Sequence, residues 1–262
     1  MKKFFTLIAM AFMALGANAQ DVILFENGVK PTDEQTFTKG DVTLQLGKDI
    51  KKASGWDNKA SSVGKGENML PFIQKLMIKN TETEEMEEKD RIVVVNGGNN
   101  PKDGEDNSGN GYKPETKNLP ASGTYYKVTA TKNGTIVAGI VLNSDKPFYI
   151  CKATDGSNIP STDYKMKNGA DGADVEITDD MIADKITGTV EFKVVANETY
   201  YFFCTGSKLG CFGVQFTAAS GTDGINSVNA EQTNGKMFNL AGQEVKAAAK
   251  GIVIKNGKKY MK

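Results

Sequence analysis

The sequence predicts an all-β protein, an antiparallel β-sandwich with a short β tail at its C-terminus. Short runs alternate apolar and polar residues with period two, as at Val190, Phe192 and Val194 against Glu191 and Lys193, the pattern of half-buried strands. Clusters of Gly, Asn, Asp and Ser separate the runs and supply turn chemistry. About eight or nine such runs fit between residues 20 and 218, a β-sandwich inventory.

The chain opens with an export signal rather than with the fold. Lys2 and Lys3 form a positive n-region, Phe4 to Leu15 an apolar h-region, and Ala17-Asn18-Ala19 a small-residue cleavage site, the layout of a secretory signal peptide. The apolar run is shorter than the roughly 20 residues a membrane-spanning helix needs. Residues 1–19 are therefore expected to be removed, leaving a mature chain from Gln20 with no transmembrane segment, secreted or displayed at the cell surface.

In the mature chain Val22 to Phe25 reads as a short strand, and Val42, Leu44 and Leu46 alternate in a second. The loop that follows carries Trp56, the single tryptophan, beside Asp57 and Asn58. Leu70 to Ile78 fits strand or helix. Glu82 to Asp90 is densely acidic and reads as a solvated loop or one or two helical turns, followed by a strand at Arg91 to Val95. Asn96 to Leu119 is a long polar stretch in which Tyr112 is the one side chain suited to recognition. Asp103, Glu105, Asp106 and Asn107 are oxygen donors, but Ser108 and Pro114 occupy the sixth and twelfth positions where a calcium loop needs Gly and Glu. A flexible polar loop without a metal is the expectation. Tyr126, Val128 and Ala130 then alternate, and Lys132-Asn133-Gly134 is a hairpin signal leading into a return strand from Thr135 to Leu142. Pro147 to Cys151 is a further strand.

Ile186 to Ala218 closes the domain and reads as three consecutive antiparallel strands turned at Ala196-Asn197-Glu198 and at Gly206 to Gly210. Setting Cys204 opposite Cys211 pairs Phe203 with Phe212 and Tyr201 with Val214 on one face, and Phe202 with Gly213 on the other. In an exported protein that register makes Cys204 and Cys211 a candidate disulfide. The alternative is two small apolar side chains beside a glycine turn. Cys151 has no assigned partner and is expected to be a buried thiol.

Composition narrows the chemistry. Lysine plus arginine and aspartate plus glutamate balance at 32 each, which argues against a nucleic-acid surface. Histidine is absent and Arg91 is the lone arginine. Serine or cysteine triads, imidazole zinc sites and multi-arginine clamps on acidic groups are thereby excluded. No cofactor is expected, and the chain is not expected to be an enzyme.

Residues 219–224 form a small-residue linker, and beyond it the chain becomes lysine-rich, with Glu244 the single acid after Lys236. FNLAGQEVKAAAKGIVIKNGKKYMK, preceded by GINSVNA, resembles the C-terminal sorting or anchoring segments of exported Bacteroidetes proteins over residues 225–262, with Val253 where an aromatic is usual. GTYYKVTATKNGTIVAGIVLNSDKPFYI and NETYYFFCTGSKLGCFGVQF are similar to jelly-roll, galactose-binding-like modules found alone or attached to polysaccharide-degrading enzymes in such bacteria. This implies a sandwich over 20–218, a polysaccharide or cell-surface glycan as partner, and use of the export machinery through the N-terminal signal and the tail.

Two functions follow from the residues. The first is a non-catalytic module binding carbohydrate, with Trp56, Asp57, Asn58 and Tyr112 as candidate ligand-binding residues; an exposed indole stacks on a sugar face while polar neighbours bond its hydroxyls. Trp56 as a plug over one end of the sandwich is the competing placement. Tyr200 and Phe202 are a second platform if exposed, and core residues if not. The other function is a structural or adhesive surface protein without a small ligand. A lyase or glycosidase accessory ranks behind both, since no pair of carboxylates is placed on facing strands.

Overall fold

The computed structural model describes residues 20–50, 57–62, 67–142, 146–178, 185–206 and 209–219, and tail strands at 237–239, 244–245, 252–255 and 258–261; at 57–62, 67–68 and in the tail only the backbone is described. The signal segment, Trp56 and residues 220–236 lie outside the described residues. The chain divides into two compact units, up to Ala219 and from Ser220 onward.

The first unit is a sandwich of two antiparallel sheets. Its strands begin with β1 (Gln20–Leu24), β2 (Thr36–Lys39), β3 (Val42–Leu46), β4 (Asp57–Ser62), β5 (Gln74–Lys79), β6 (Met86–Asn96) and β7 (Tyr125–Ala130). They continue with β8 (Gly134–Leu142), β9 (Phe148–Lys152), β10 (Tyr164–Asn168), β11 (Asp174–Val175), β12 (Ile186–Val194), β13 (Thr199–Cys204) and β14 (Leu209–Ala218). The larger sheet runs β11-β10-β12-β8-β14-β6-β4, with β1 paired to β14 and β5 to β6. The smaller sheet runs β2-β3-β7-β13-β9. Among the described residues there is no α-helix, only 3-10 turns at Glu67–Phe72 and Ser161–Asp163.

Alternation places one face of each sheet in a shared core. Tyr126, Val128, Tyr200 and Phe202 come from the smaller sheet; Ile136, Ile140, Val190, Phe192, Val214 and Phe216 come from the larger. Phe192 meets Tyr200 with ring centroids 5.9 Å apart, and Tyr126 stacks on Phe202 at 5.2 Å. The Tyr126 hydroxyl crosses the core and shares its proton between the carbonyls of Leu209, 2.7 Å away, and Val95, 2.9 Å away. Burial raises its pKa well above the usual tyrosine value. Tyr200 and Phe202 are thus core residues, not a platform.

The closing stretch departs from three consecutive paired strands. Strands β12 and β14 lie in the larger sheet and β13 in the smaller, between β7 and β9. Cys204 pairs with Phe148, and Cys211 with Val95 and Ile140. A strand apolar on both faces is better buried at the centre of the second sheet than at one side of a hairpin. The parity of β14 also differs from strict alternation. A bulge between Cys211 and Gly213 makes Phe212 an extra residue, so Cys211, Val214 and Phe216 face the main core while Phe212 turns to the other face. Gly213 adopts φ +127, and a Cβ there would collide with the Ile23 carbonyl of β1. Only glycine accommodates both the conformation and the approach.

Lys132-Asn133-Gly134 likewise crosses between sheets instead of closing a hairpin. Strand β7 belongs to the smaller sheet and β8 to the larger. Neither Asn133 nor Gly134 is among the positive-φ residues, as a type I′ turn would require. Asn133 instead accepts bonds from the amides of Ala196, at its side chain, and Ala219, at its carbonyl.

The ambiguous run from Leu70 resolves into the end of a 3-10 turn and then β5. The acidic stretch enters β6, where the pairing of Lys75 with Asp90 at 2.5 Å sets charge against charge across the ladder. Met69 and Phe72 of the 3-10 turn cover Ile92, Val94 and Phe212 on the outer face of the larger sheet. The second unit is a separate four-stranded antiparallel sheet ordered β16 (Glu244–Val245), β15 (Met237–Asn239), β17 (Ile252–Lys255), β18 (Lys258–Met261).

Phe192 and Phe212 thus fill two clusters on opposite faces of one sheet. Replacing either with Ala should cost about 3–5 kcal/mol in denaturant unfolding, the range for aromatic-to-alanine changes in a packed core. Each described hydrogen bond of the sandwich is made at or before Ala219. Truncation after Ala219 should therefore leave the melting temperature of the sandwich unchanged in calorimetry.

Candidate functional site

The outer face of the smaller sheet is built from the alternate residues of its strands. One row across it reads Thr38, Thr43, Thr129, Thr199 and the next Thr36, Gln45, Lys127, Tyr201, each residue facing its neighbour in register. Adjacent strands are about 4.8 Å apart, so the rows set side chains at that interval. Threonine suits both the strand backbone and an outward hydroxyl. Thr129 and Thr199 hydroxyls are 2.7 Å apart, and those of Thr38 and Thr43 are 3.1 Å apart. Gln45 donates from its amide to the Glu34 carbonyl at 3.3 Å.

One end of this face is closed. Tyr112, in the long loop between β6 and β7, packs edge-on against Tyr149 at 4.8 Å and Phe203 at 5.5 Å. Its hydroxyl donates to the Gly156 carbonyl at 2.9 Å. Tyr112 is 3% exposed, and burial raises its pKa. It is therefore an anchor of the loop and not a recognition residue, because Phe203, on the outward side of β13, needs a cover. The loop is ordered by its own polar groups: Asp103 accepts the Asn110 amide at 2.5 Å, and Asn107 donates to the Asn100 carbonyl at 2.7 Å. The first of these bonds engages a carboxylate oxygen of Asp103, one of the candidate metal donors.

Beyond the loop the face stays open as a trough of about 320 Å³, running from Thr36, Thr43 and Gln45 past Lys127 and Thr129 to Thr199, Tyr201 and Ala153. Tyr201 is half-buried and stacks on Tyr125 with centroids 5.5 Å apart. The Lys127 ammonium sits 5.1 Å from the Tyr201 ring centre and 5.7 Å from that of Tyr125, within cation–π range. Burial raises the Tyr125 pKa, and its hydroxyl accepts the Lys48 amide at 3.3 Å. The stack is thus pinned at its base.

A second depression, about 660 Å³, opens where β10 begins beside β12, between Ile159 and Pro160 on one side and Glu191 and Lys193 on the other. It is larger, but its aromatic side chains are sealed: Tyr164, Phe192 and Tyr200 are 3%, 1% and 2% exposed. Of these two depressions, the trough is the one lined by an aromatic side chain that is not fully buried, Tyr201. The Tyr164 hydroxyl is buried without a hydrogen-bond partner among the described residues.

The residues singled out by sequence are not brought together. Trp56 lies outside the described residues, and Asp57 and Asn58 begin β4, where the backbone alone is described. Tyr112 is buried on the smaller sheet. The candidate Cys204–Cys211 disulfide is not formed in the structure, where Cys151, Cys204 and Cys211 are buried free thiols. The register that would have joined the pair requires both strands in one sheet. The register that sets Tyr201 against Val214 puts it on the core side, whereas in the structure it pairs with Lys127 on the outer face of the smaller sheet; Lys127, Gln45 and the threonines are polar strand positions to which the sequence assigns no role. The available signal was the recurrence of Thr two residues from Tyr, Lys or Gln on separate strands.

Burial pushes all three thiols up to about 12, so thiolate is scarce at neutral pH and the sulfurs are out of reach. Ellman's reagent at pH 8 should find no reactive thiol in the folded protein and all three after unfolding. No protein-family model and no curated protein matches the chain, and the trough on the smaller sheet stands as its candidate site on geometry alone.

Proposed function

We propose that this protein is an exported, non-catalytic β-sandwich module that recognises a glycan in the trough on its smaller sheet. The observation that carries the reading is the partly exposed Tyr201 side chain beside hydroxyl-bearing rows that cross four strands. A sugar presents one apolar face and a rim of hydroxyls, and such a site offers both an aromatic surface and closely spaced donors and acceptors. Strands hold these groups more rigidly than loops, which lowers the ordering cost of binding. Trough residues carry no carboxylate to act as acid or base, and the chain has no histidine, which supports binding without turnover. The signal-like segment at 1–19 and the sorting-like tail at 225–262 support display outside the cytoplasm, in the manner of the Bacteroidetes jelly-roll modules the sequence resembles.

A glycan array probed with the protein from Gln20 onward tests this. Retention of at least one oligosaccharide is expected, and Tyr201→Ala should weaken it about tenfold or more, some 1.4 kcal/mol, with Thr43→Val giving a smaller loss. An array without binding would leave a structural surface protein in place of a lectin-like one. Binding indifferent to Tyr201→Ala would move the site elsewhere.

A further inference from the structure

We infer that the trough selects an acidic glycan, one bearing uronic-acid carboxylates, and that the Lys127 ammonium receives the carboxylate; the inference rests on the glycan reading of the same trough. Lys127 projects from the centre of the smaller sheet, with Gln45 facing it on one side and Tyr201 on the other. Neither neighbour carries a charge that could neutralise it. Lysines 48, 75, 79, 89 and 132 all reach a carboxylate within 3.4 Å. Among the described residues Lys127 has no such partner, and its ammonium rests over the Tyr125 and Tyr201 rings instead.

Ring faces attract a cation but leave its net charge unmatched. Every other side chain lining the trough is neutral: threonine, glutamine, alanine and tyrosine. The trough therefore holds one uncompensated positive charge, half-withdrawn from water, in a field of hydroxyl and amide groups. An anion brought there exchanges hydration for a charge-assisted hydrogen bond from Nζ, and the threonine hydroxyls can donate to its second oxygen. A lysine is a compact point charge without the forked geometry of arginine. It suits one carboxylate on one sugar unit, with the remaining contacts made by ring stacking and hydroxyl bonding. A neutral glycan would leave the ammonium partly desolvated and unpaired, so charge also acts against the wrong ligand.

Calorimetric titration of the protein from Gln20 onward with a tetragalacturonate, and with the same tetrasaccharide after carboxyl reduction, tests the inference. The acidic ligand is expected to bind about tenfold or more tightly than the reduced one, and its affinity to fall as sodium chloride is raised. Lys127→Gln should remove both the preference and the salt dependence while Tyr201→Ala still weakens what binding remains. Lys79→Gln, on the β5 strand, controls for net charge and should change nothing. Equal affinity for the two tetrasaccharides, or an acid preference that survives Lys127→Gln, would overturn the inference while leaving glycan recognition standing. So would retention of neutral glycans alone on the array. A sulfated oligosaccharide with a neutral backbone binding as tightly would overturn the assignment to carboxylate. Failure of both tetrasaccharides together with a blank array would remove the glycan reading itself.

Discussion

The hydroxyl of Tyr126 ties the two sheets together. A tyrosine whose ring lies in the centre of a core must find a partner for its O–H, because an unsatisfied buried hydroxyl costs about 1–3 kcal/mol. Here the ring packs on Phe202 within its own sheet, and the hydroxyl reaches carbonyls of the opposite one, at Val95 and Leu209. Those carbonyls lie where β6 meets β14, beside the Val95–Cys211 pair. One polar contact thus sets which residues of the larger sheet lie across from β7. It also sets how near the two sheets approach, since the ring and its hydroxyl span the gap.

With the inner faces committed in this way, each sheet has an outer face to manage, and the two do so differently. The larger sheet turns Ile92, Val94 and Phe212 outward and covers them with Met69 and Phe72. The bulge at Gly213 makes this arrangement compatible with a continuous inner core, because it sends Phe212 outward without misplacing Val214 or Phe216. The smaller sheet turns Tyr149 and Phe203 outward at one end and covers them with Tyr112. Towards β2 and β3 its outward residues are threonine, glutamine and lysine, which need no cover. The open trough is the part of the surface where the polar half of the alternation was left to face water. Its base is rigid because β7 and β13 are paired on both sides and Tyr125 braces Tyr201 from below.

The chemistry of the protein follows from the same division. The thiols are buried, two of them beside the core strands and Cys151 beneath the Tyr112 anchor, so none is poised for reaction. Some of the surface charge is held in cross-strand and turn pairs, as between Lys75 and Asp90 or Lys132 and Asp41. Lys127 is set apart by its neighbours, since the strands beside it present an amide and a phenol where a carboxylate would have paired with it. The proposed recognition surface draws on few residues, and none of them forms a motif along the chain.

The sequence by itself determined that the fold is a β-sandwich, and which residues of most strands lie inside. Alternation is a local property, written in side chains two positions apart, and Tyr126, Val128, Val190 and Phe192 are buried as their spacing requires. It did not determine which strands share a sheet. The Lys132-Asn133-Gly134 step reads as a hairpin and the closing stretch as a three-stranded ladder, because sequence neighbours are the default partners; in the folded chain both are crossings between sheets. Strand membership is decided by partners far apart in the chain, such as β13 with β9 and β7. Parity within β14 was decided by a single inserted residue, at a bulge where Gly213 lies close against β1. The trough was legible only as separate threonines, a lysine and a tyrosine on four strands. Register alone brings them onto one face, and the Tyr112 loop alone leaves that part of the face uncovered.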